Sequence, residues 1–508
     1  VHRKDEVAQV DVTTYHSRTI LQERDPILKP GRNLWRSAKA DRLSFLIDGE
    51  EYFRRLQEVL PQAEKSIFII GWDFNPDIRL TPRDPASPTL GQILRDCVDR
   101  NPELVLRILV WGMGPIYSGK SFKMFGKMDW SDHPRIQLRF DFRHPLRASH
   151  HQKIVVLDDQ AAFLGGIDLT ARRWDDRNHS IDNPVRVAPD GVAYGPVHDM
   201  QTLVTGPIAG MIGEVARRRW KTATQETVPA TTVDKPAPWP AGLTPALENC
   251  STGLALTEPW KWKGRRGHRE AIRLTHDALK AAKRHLYIET QYLASFGVGR
   301  TLAKLLRASD GPEIVVIVTC ESHGFLERLT MGGNRNRLIR RLQRADRHNR
   351  LRVFFAVTPD GKGGEREIIV HSKVIIADDR FVRVGSSNLN NRSEGLDTEC
   401  DIAVETSDPL SRRSILSLRN DLIAEHLDAD PAQVTEIIRE TGSMIAAMDR
   451  LNVHPRGLRP FEIDPHKGET GSLIGTGLVD PKQPFWPIPE ISSWVRKMAG
   501  RLSARRMS

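Results

Sequence analysis

Apolar residues recur along this chain with two periods. Residues 50–63 place Tyr52, Phe53, Leu56, Val59 and Leu60 on one helical face, and the apolar run 66–71 that follows reads as a buried strand. Further strands are expected at 104–111, 137–142 and 153–157. A stretch over 227–245, with Pro229, Pro236, Pro238 and Pro240, breaks the pattern. It restarts with a helix over 268–284 and strands at 285–289, 313–319, 351–357 and 373–377. Interleaved helix and strand signals predict a mixed α/β fold in which the second half repeats the first. Beyond residue 450 the chain becomes rich in Pro and Gly and reads as an extended tail. The expected division is a first half over 1–226, a linker over 227–265, a second half over 266–450 and a basic tail over 451–508.

Composition narrows the partners. With 508 residues and 39% hydrophobic content, the chain can bury a sizeable core. No apolar run reaches the roughly 18 residues that span a bilayer; the best, residues 314–318, is a buried-strand candidate. Lysine and arginine exceed aspartate and glutamate by 75 − 64 = 11, which favours an anionic partner. Cys97, Cys250, Cys320 and Cys400 lie far apart with no CxxC pair, so neither a zinc site nor a disulfide framework is expected. Residues 1–12 lack an apolar leader core. A cytoplasmic or peripheral membrane protein is expected, with export by a leaderless route as the alternative.

The chemistry is carried by a repeat. His151-Gln-Lys153 leads to Asp158 in an HxKxxxxD pattern, and His371-Ser-Lys373 leads to Asp378 in the same pattern, 371 − 151 = 220 residues later. The 17 histidines would yield on the order of 0.04 such matches by chance. The same offset carries Gly165 onto Gly385, Asp168 onto Asn388, Leu169 onto Leu389 and Arg172 onto Arg392 without a gap, which identifies an internal duplication. A His and a Lys separated by one residue project from the same side of an extended chain. Two such segments facing each other would put two imidazoles and two ammonium groups around one phosphate. Phosphodiester cleavage needs a nucleophile, an acid for the leaving oxygen and fixed positive charge, and this set supplies all three. No metal and no cofactor is required by that scheme, and none is expected.

These residues resemble the phospholipase D superfamily, whose signature is the duplicated HxKxxxxD followed by a GG or GS pair and an Asn or Asp. The likeness extends through SHHQKIVVLDD (149–159), GGIDLTARRWD (165–175) and VHDMQTLVTGPIAG (197–210) in the first half. In the second it runs through HLYIETQYL (285–293), VHSKVIIADDRFVRVGSSNLNNRS (370–393), GLDTE (395–399) and LRNDLIAEHL (418–427). It is closest in character to lipid-cleaving bacterial-type members without C2, PX or PH regions, and it covers roughly residues 28 to 430. The resemblance implies two similar α/β halves packed as a pseudo-twofold pair with the active site between them. It further implies a covalent phosphohistidine, with His151 as nucleophile, His371 as general acid, Lys153, Lys373 and Asn388 on the phosphate, and Asp158 and Asp378 supporting the catalytic set. Asp168, Gly166, Ser386, Glu289, Gln291 and His198 are the further candidates for contact with substrate. Thr290 stands where lipid-cleaving relatives usually carry Asn.

The function expected from the resemblance is hydrolysis of a glycerophospholipid to phosphatidic acid and a headgroup alcohol, with transfer to another alcohol as a side reaction. The alternatives are a cardiolipin synthase-like phosphatidyltransferase, a phosphodiesterase acting on nucleic acid and a non-catalytic binding scaffold. The expected partner is phospholipid at a membrane surface rather than nucleic acid. One chain holds both half-sites, so a monomer with no obligatory protein partner is expected. Three features have plainer readings: Trp174 as a packing aromatic, the arginine-rich segment 328–352 as a solvated face, and residues 491–508 as either a basic tail or an interfacial anchor.

Overall fold

The computed structural model describes residues 25–113, 130–145, 147–259, 267–320, 331–473, 476 and 480–482. The first half contributes β1 (Arg36–Ile47), β2 (Ser66–Gly71), β3 (Val105–Trp111), β4 (Ile136–Asp141), β5 (Ile154–Leu157), β6 (Ala161–Gly165), β7 (Val197–His198) and β8 (Met200–Thr205). The second contributes β9 (Leu247–Thr257), β10 (His285–Thr290), β11 (Glu313–Val318), β12 (Leu351–Pro359), β13 (Glu365–Val370), β14 (Val374–Ala377), β15 (Phe381–Gly385), β16 (Glu399–Glu405) and β17 (Gly457–Pro460). Neighbouring strands run β4-β3-β2-β5-β6-β8-β1 in one half and β12-β11-β10-β14-β15-β16-β9 in the other. The two orders are the same. β1 and β9 pair antiparallel where the halves meet, with Ala40 opposite Cys250.

In each half three strands are parallel, β2-β3-β4 and β10-β11-β12; the helices Leu90–Arg100 and Phe296–Arg307 connect β2 to β3 and β10 to β11. Parallel strands covered on both faces read as unbroken apolar runs, which is why 66–71 and 314–318 stood out in the sequence. Side-chain alternation then divides the core. Ile67 and Ile69 face a core within the first half, Ile314 and Val316 one built mostly by the second half and joined by Ile27 and Leu34, while Phe68, Ile70, Val315 and Ile317 enter a core that both halves share. The helices Pro207–Thr224 and Pro409–Leu427 fill that shared core with Ile208, Ile212, Trp220, Leu422 and Ile423.

Three sequence expectations change. The 227–265 linker contains β9, an eleven-residue strand at the seam of the sheet. The tail contains β17, which pairs with β12. Past it, the chain lies along the arginine-rich helix Gly333–Ala345, where Arg340 and Arg344 donate to the carbonyls of Asp464, Glu469, His466 and Gly468. That face binds the protein's own backbone rather than only solvent. The 491–508 segment lies outside the described residues. Among the described residues no helix is long and apolar enough to cross a membrane.

Candidate active site

Each motif ends in an aspartate that fixes a hairpin. Asp158, at φ 52°, accepts the backbone amides of Glu64, Lys65 and Ser66 at 2.7, 2.8 and 2.7 Å. Asp378, at φ 56°, does the same for Lys283, Arg284 and His285 at 3.1, 2.8 and 3.0 Å. Both carboxylates sit at the far end of β5 or β14 from the histidine, seven residues or up to about 23 Å of extended chain away. The sequence placed Asp158 and Asp378 in the catalytic set; the structure makes them anchors that pin the motif strand to the start of β2 or β10. Asp158→Ala is therefore expected to lower stability by about 2–4 kcal/mol in denaturant titration, through three stranded amides. The protein that remains folded should turn over within a few-fold of wild type.

The histidine ends of the two motifs cross into each other's half. His151 N donates to Thr398 O at 3.0 Å, and His151 Nδ1 lies 2.9 Å from Glu399 Oε2. Reciprocally, His371 N donates to His198 O at 2.8 Å, and His371 Nδ1 lies 2.6 Å from Asp199 Oδ2. Each half thus supplies the carboxylate that holds the other half's imidazole by Nδ1. An Nδ1–H engaged with a carboxylate leaves Nε2 as the free nitrogen, which is the tautomer a nucleophile or proton carrier needs. Glu399 is itself held by the hydroxyls of Ser386 at 2.5 Å and Ser393 at 2.7 Å. Asp199 Oδ1 accepts the amide of Met200 at 2.8 Å.

The lysines are buried beside them. Lys153 Nζ pairs with Asp168 Oδ2 at 2.9 Å and donates to His151 O at 3.1 Å, and Lys373 Nζ donates to His371 O. Burial, reinforced by Lys153 and Lys373, holds His151 well below the ordinary imidazole value. Burial, then Lys373, Arg173 and Lys153, does the same to His371. The charges of both lysines therefore reach both rings, as one shared pocket requires. Burial pulls Lys373 down to about 7 and, helped by Asp397, pushes Glu399 up to about 8. As pH rises past about 7, Lys373 loses the positive charge that an anionic phosphodiester needs, whereas ionisation of Glu399 supplies the carboxylate that holds the Nδ1–H of His151. kcat/KM measured against pH should fall on the alkaline side of neutrality; Lys373→Arg, whose charge persists, should move that fall to higher pH.

Several expected substrate contacts have other roles. Asp168 is an acceptor that positions Lys153 and caps Trp72 N at 2.8 Å, so it does not bind phosphate. Ser386 holds Glu399, and Gly166 makes room for Asp199, whose Oδ1 a Cβ would meet at 2.1 Å. His198 and Glu289 are fully buried and bound to each other, His198 Nε2 lying 3.2 Å from Glu289 Oε2. Gln291 is half-buried past the end of β10, and among the described residues no hydrogen bond ties it to the pocket. Trp174 is core. Asn388 is buried, and its amide nitrogen, the atom that can donate to a phosphate oxygen, makes no hydrogen bond among the described residues. The sequence reading did not assign Asp199 and Glu399 their role. The available signal was an acid at the head of a strand after each GG or GS segment, Asp199 just before β8 and Glu399 as the first residue of β16.

A family model described as "Cardiolipin synthase, PLD-like domain" matches residues 276–415. The chain is 23% identical to Phospholipase D A of Dictyostelium discoideum, over 71% of this chain and 32% of that protein. It is 23% identical to Phospholipase D1 of Saccharomyces cerevisiae over 81% and 30%, and 22% identical to Phospholipase D2 of Bos taurus over 73% and 50%. It thus spans between about a third and a half of the length of these relatives. Among solved structures, the phosphatidylserine synthase of Haemophilus influenzae shares the fold with a TM-score of 0.51 at 14% identity, over 82% of this chain and 96% of that one.

Proposed function

The chain belongs to the phospholipase D superfamily, and on that premise we propose that it cleaves the distal phosphodiester bond of a glycerophospholipid, releasing phosphatidic acid and the headgroup alcohol. The observation that carries this reading is the reciprocal exchange of carboxylates, Glu399 onto His151 and Asp199 onto His371. His151 Nε2 attacks phosphorus while His371, protonated when the anion enters, gives its proton to the departing headgroup oxygen. Lys153, Lys373 and Asn388 hold the equatorial oxygens as charge builds on them. Water, deprotonated by the now neutral His371, then displaces His151 from phosphorus and restores both rings. An alcohol in place of water gives transphosphatidylation.

Both half-sites come from one chain, which supports a monomer that needs no protein partner and works at a membrane surface. The match of residues 276–415 to a domain described for cardiolipin synthase favours a second reading, in which a lipid alcohol is the natural acceptor. Phosphatidylcholine vesicles with ethanol separate the readings when products are identified by mass. Phosphatidic acid and phosphatidylethanol support the proposal. Cardiolipin from phosphatidylglycerol, with little hydrolysis, favours the transferase. Cut DNA with untouched lipid would overturn both.

A further inference from the structure

Behind the pocket, four separate segments bring polar side chains to one buried point. Asp48 opens the helix Asp48–Val59, His179 lies in the loop between β6 and β7, His198 ends β7, and Glu425 stands near the end of the helix Pro409–Leu427. None is more than 5% exposed. His198 Nδ1 lies 2.8 Å from Glu425 Oε1 and 3.1 Å from Asp48 Oδ1; His179 Nε2 lies 3.3 Å from Glu425 Oε1 and 3.4 Å from Asp48 Oδ2. One ligand atom from each of the four residues lies within 4.8 Å of the others, a cluster that small side-chain shifts can bring to the about 3.3–3.4 Å spacing of ligands held about 2.0–2.1 Å from a tetrahedral zinc ion.

Two further observations point to a ligand. Asp48 Oδ2 is buried beside His179 and has no hydrogen-bond partner among the described residues. The outward nitrogen of each imidazole rests on a second carboxylate, His179 Nδ1 on Asp175 Oδ2 at 2.9 Å and His198 Nε2 on Glu289 Oε2 at 3.2 Å. A carboxylate behind the ring is what fixes the tautomer of a metal-binding histidine. Those carboxylates are fixed in turn: Arg186 Nη1 pairs with Asp175 at 3.0 Å, and Tyr287 and His426 hold Glu289 Oε1 at 2.5 and 3.1 Å.

We infer that Asp48, His179, His198 and Glu425 form a structural zinc site. Its two-nitrogen, two-oxygen set is closed, with no ligand position left for substrate, so the ion does not take part in phosphoryl chemistry. It joins three first-half segments to the second half through Glu425. It also lies directly behind the catalytic pocket: Asp48 N donates to Asp199 O at 2.8 Å, Asp199 N donates to Asp48 Oδ1 at 3.2 Å, and Asp199 holds His371.

The test is elemental analysis of the purified full chain after dialysis against metal-free buffer. About one zinc per chain is expected, falling to less than about a tenth of that in His179→Gln and Glu425→Gln chains shown to be folded by circular dichroism. Cobalt introduced after chelation should give the intense visible bands of a tetrahedral ion. A folded wild-type chain that takes up no metal on incubation with zinc overturns the site, and so does metal retained equally by both variants. If neither variant folds, the cobalt spectrum of the wild-type chain decides: weak octahedral bands, or none, refute the assignment.

Discussion

Replacing either His151 or His371 with alanine is expected to lower phosphodiester turnover about 10⁴-fold or more, and the double replacement should be little worse than either single one. The two rings handle one proton and one phosphoryl group in sequence, so removing either leaves the other without its step. Separate half-sites would give a different result, with two partial losses that multiply. Steady-state rates for the two single variants and the double variant, on one vesicle preparation, make the comparison. Circular dichroism should be unchanged in all three, because neither ring fills a core position that the sheet depends on.

Asp199→Asn should cost about 10²- to 10⁴-fold in kcat with little change in substrate affinity, and Glu399→Gln should behave alike. An amide at these positions can donate as well as accept, so it no longer forces the proton onto Nδ1 of the histidine it holds. The ring then presents the wrong nitrogen to phosphorus. Gly166→Ala should have a related effect by a different route, since a methyl group there meets Asp199 Oδ1 at 2.1 Å and pushes the carboxylate off His371. A loss confined to KM in Asp199→Asn would show that the carboxylate shapes substrate binding instead.

What the sequence made legible was local or periodic. The apolar runs of β2, β5, β10, β11 and β14 are buried on both faces, so their composition alone announced them. β1 and β9, which join the halves, went unread because Arg36, Lys39, Asp41 and Arg42 on one, and Glu248, Asn249 and Ser251 on the other, interrupt the apolar pattern. The motif histidines and lysines were found through their repeat, while their partners were not: Glu399 is 248 residues from His151, and Asp199 is 172 from His371. The same distance effect hid the buried His–carboxylate cluster, whose four members come from both halves and follow no ligand spacing. The motif aspartates were expected to support the catalytic set rather than react, and the three backbone amides around each carboxylate show the form that support takes.

The covalent phosphohistidine is the species that sets this mechanism apart from direct hydrolysis. Mixing enzyme with excess phosphatidylcholine, quenching within one turnover and mapping the digest by mass should place a phosphatidyl group on the peptide that contains His151. The adduct should be absent from His151→Ala. An adduct on another side chain, or a burst of product with no adduct on any peptide, would contradict the proposed pairing of His151 as nucleophile with His371 as acid.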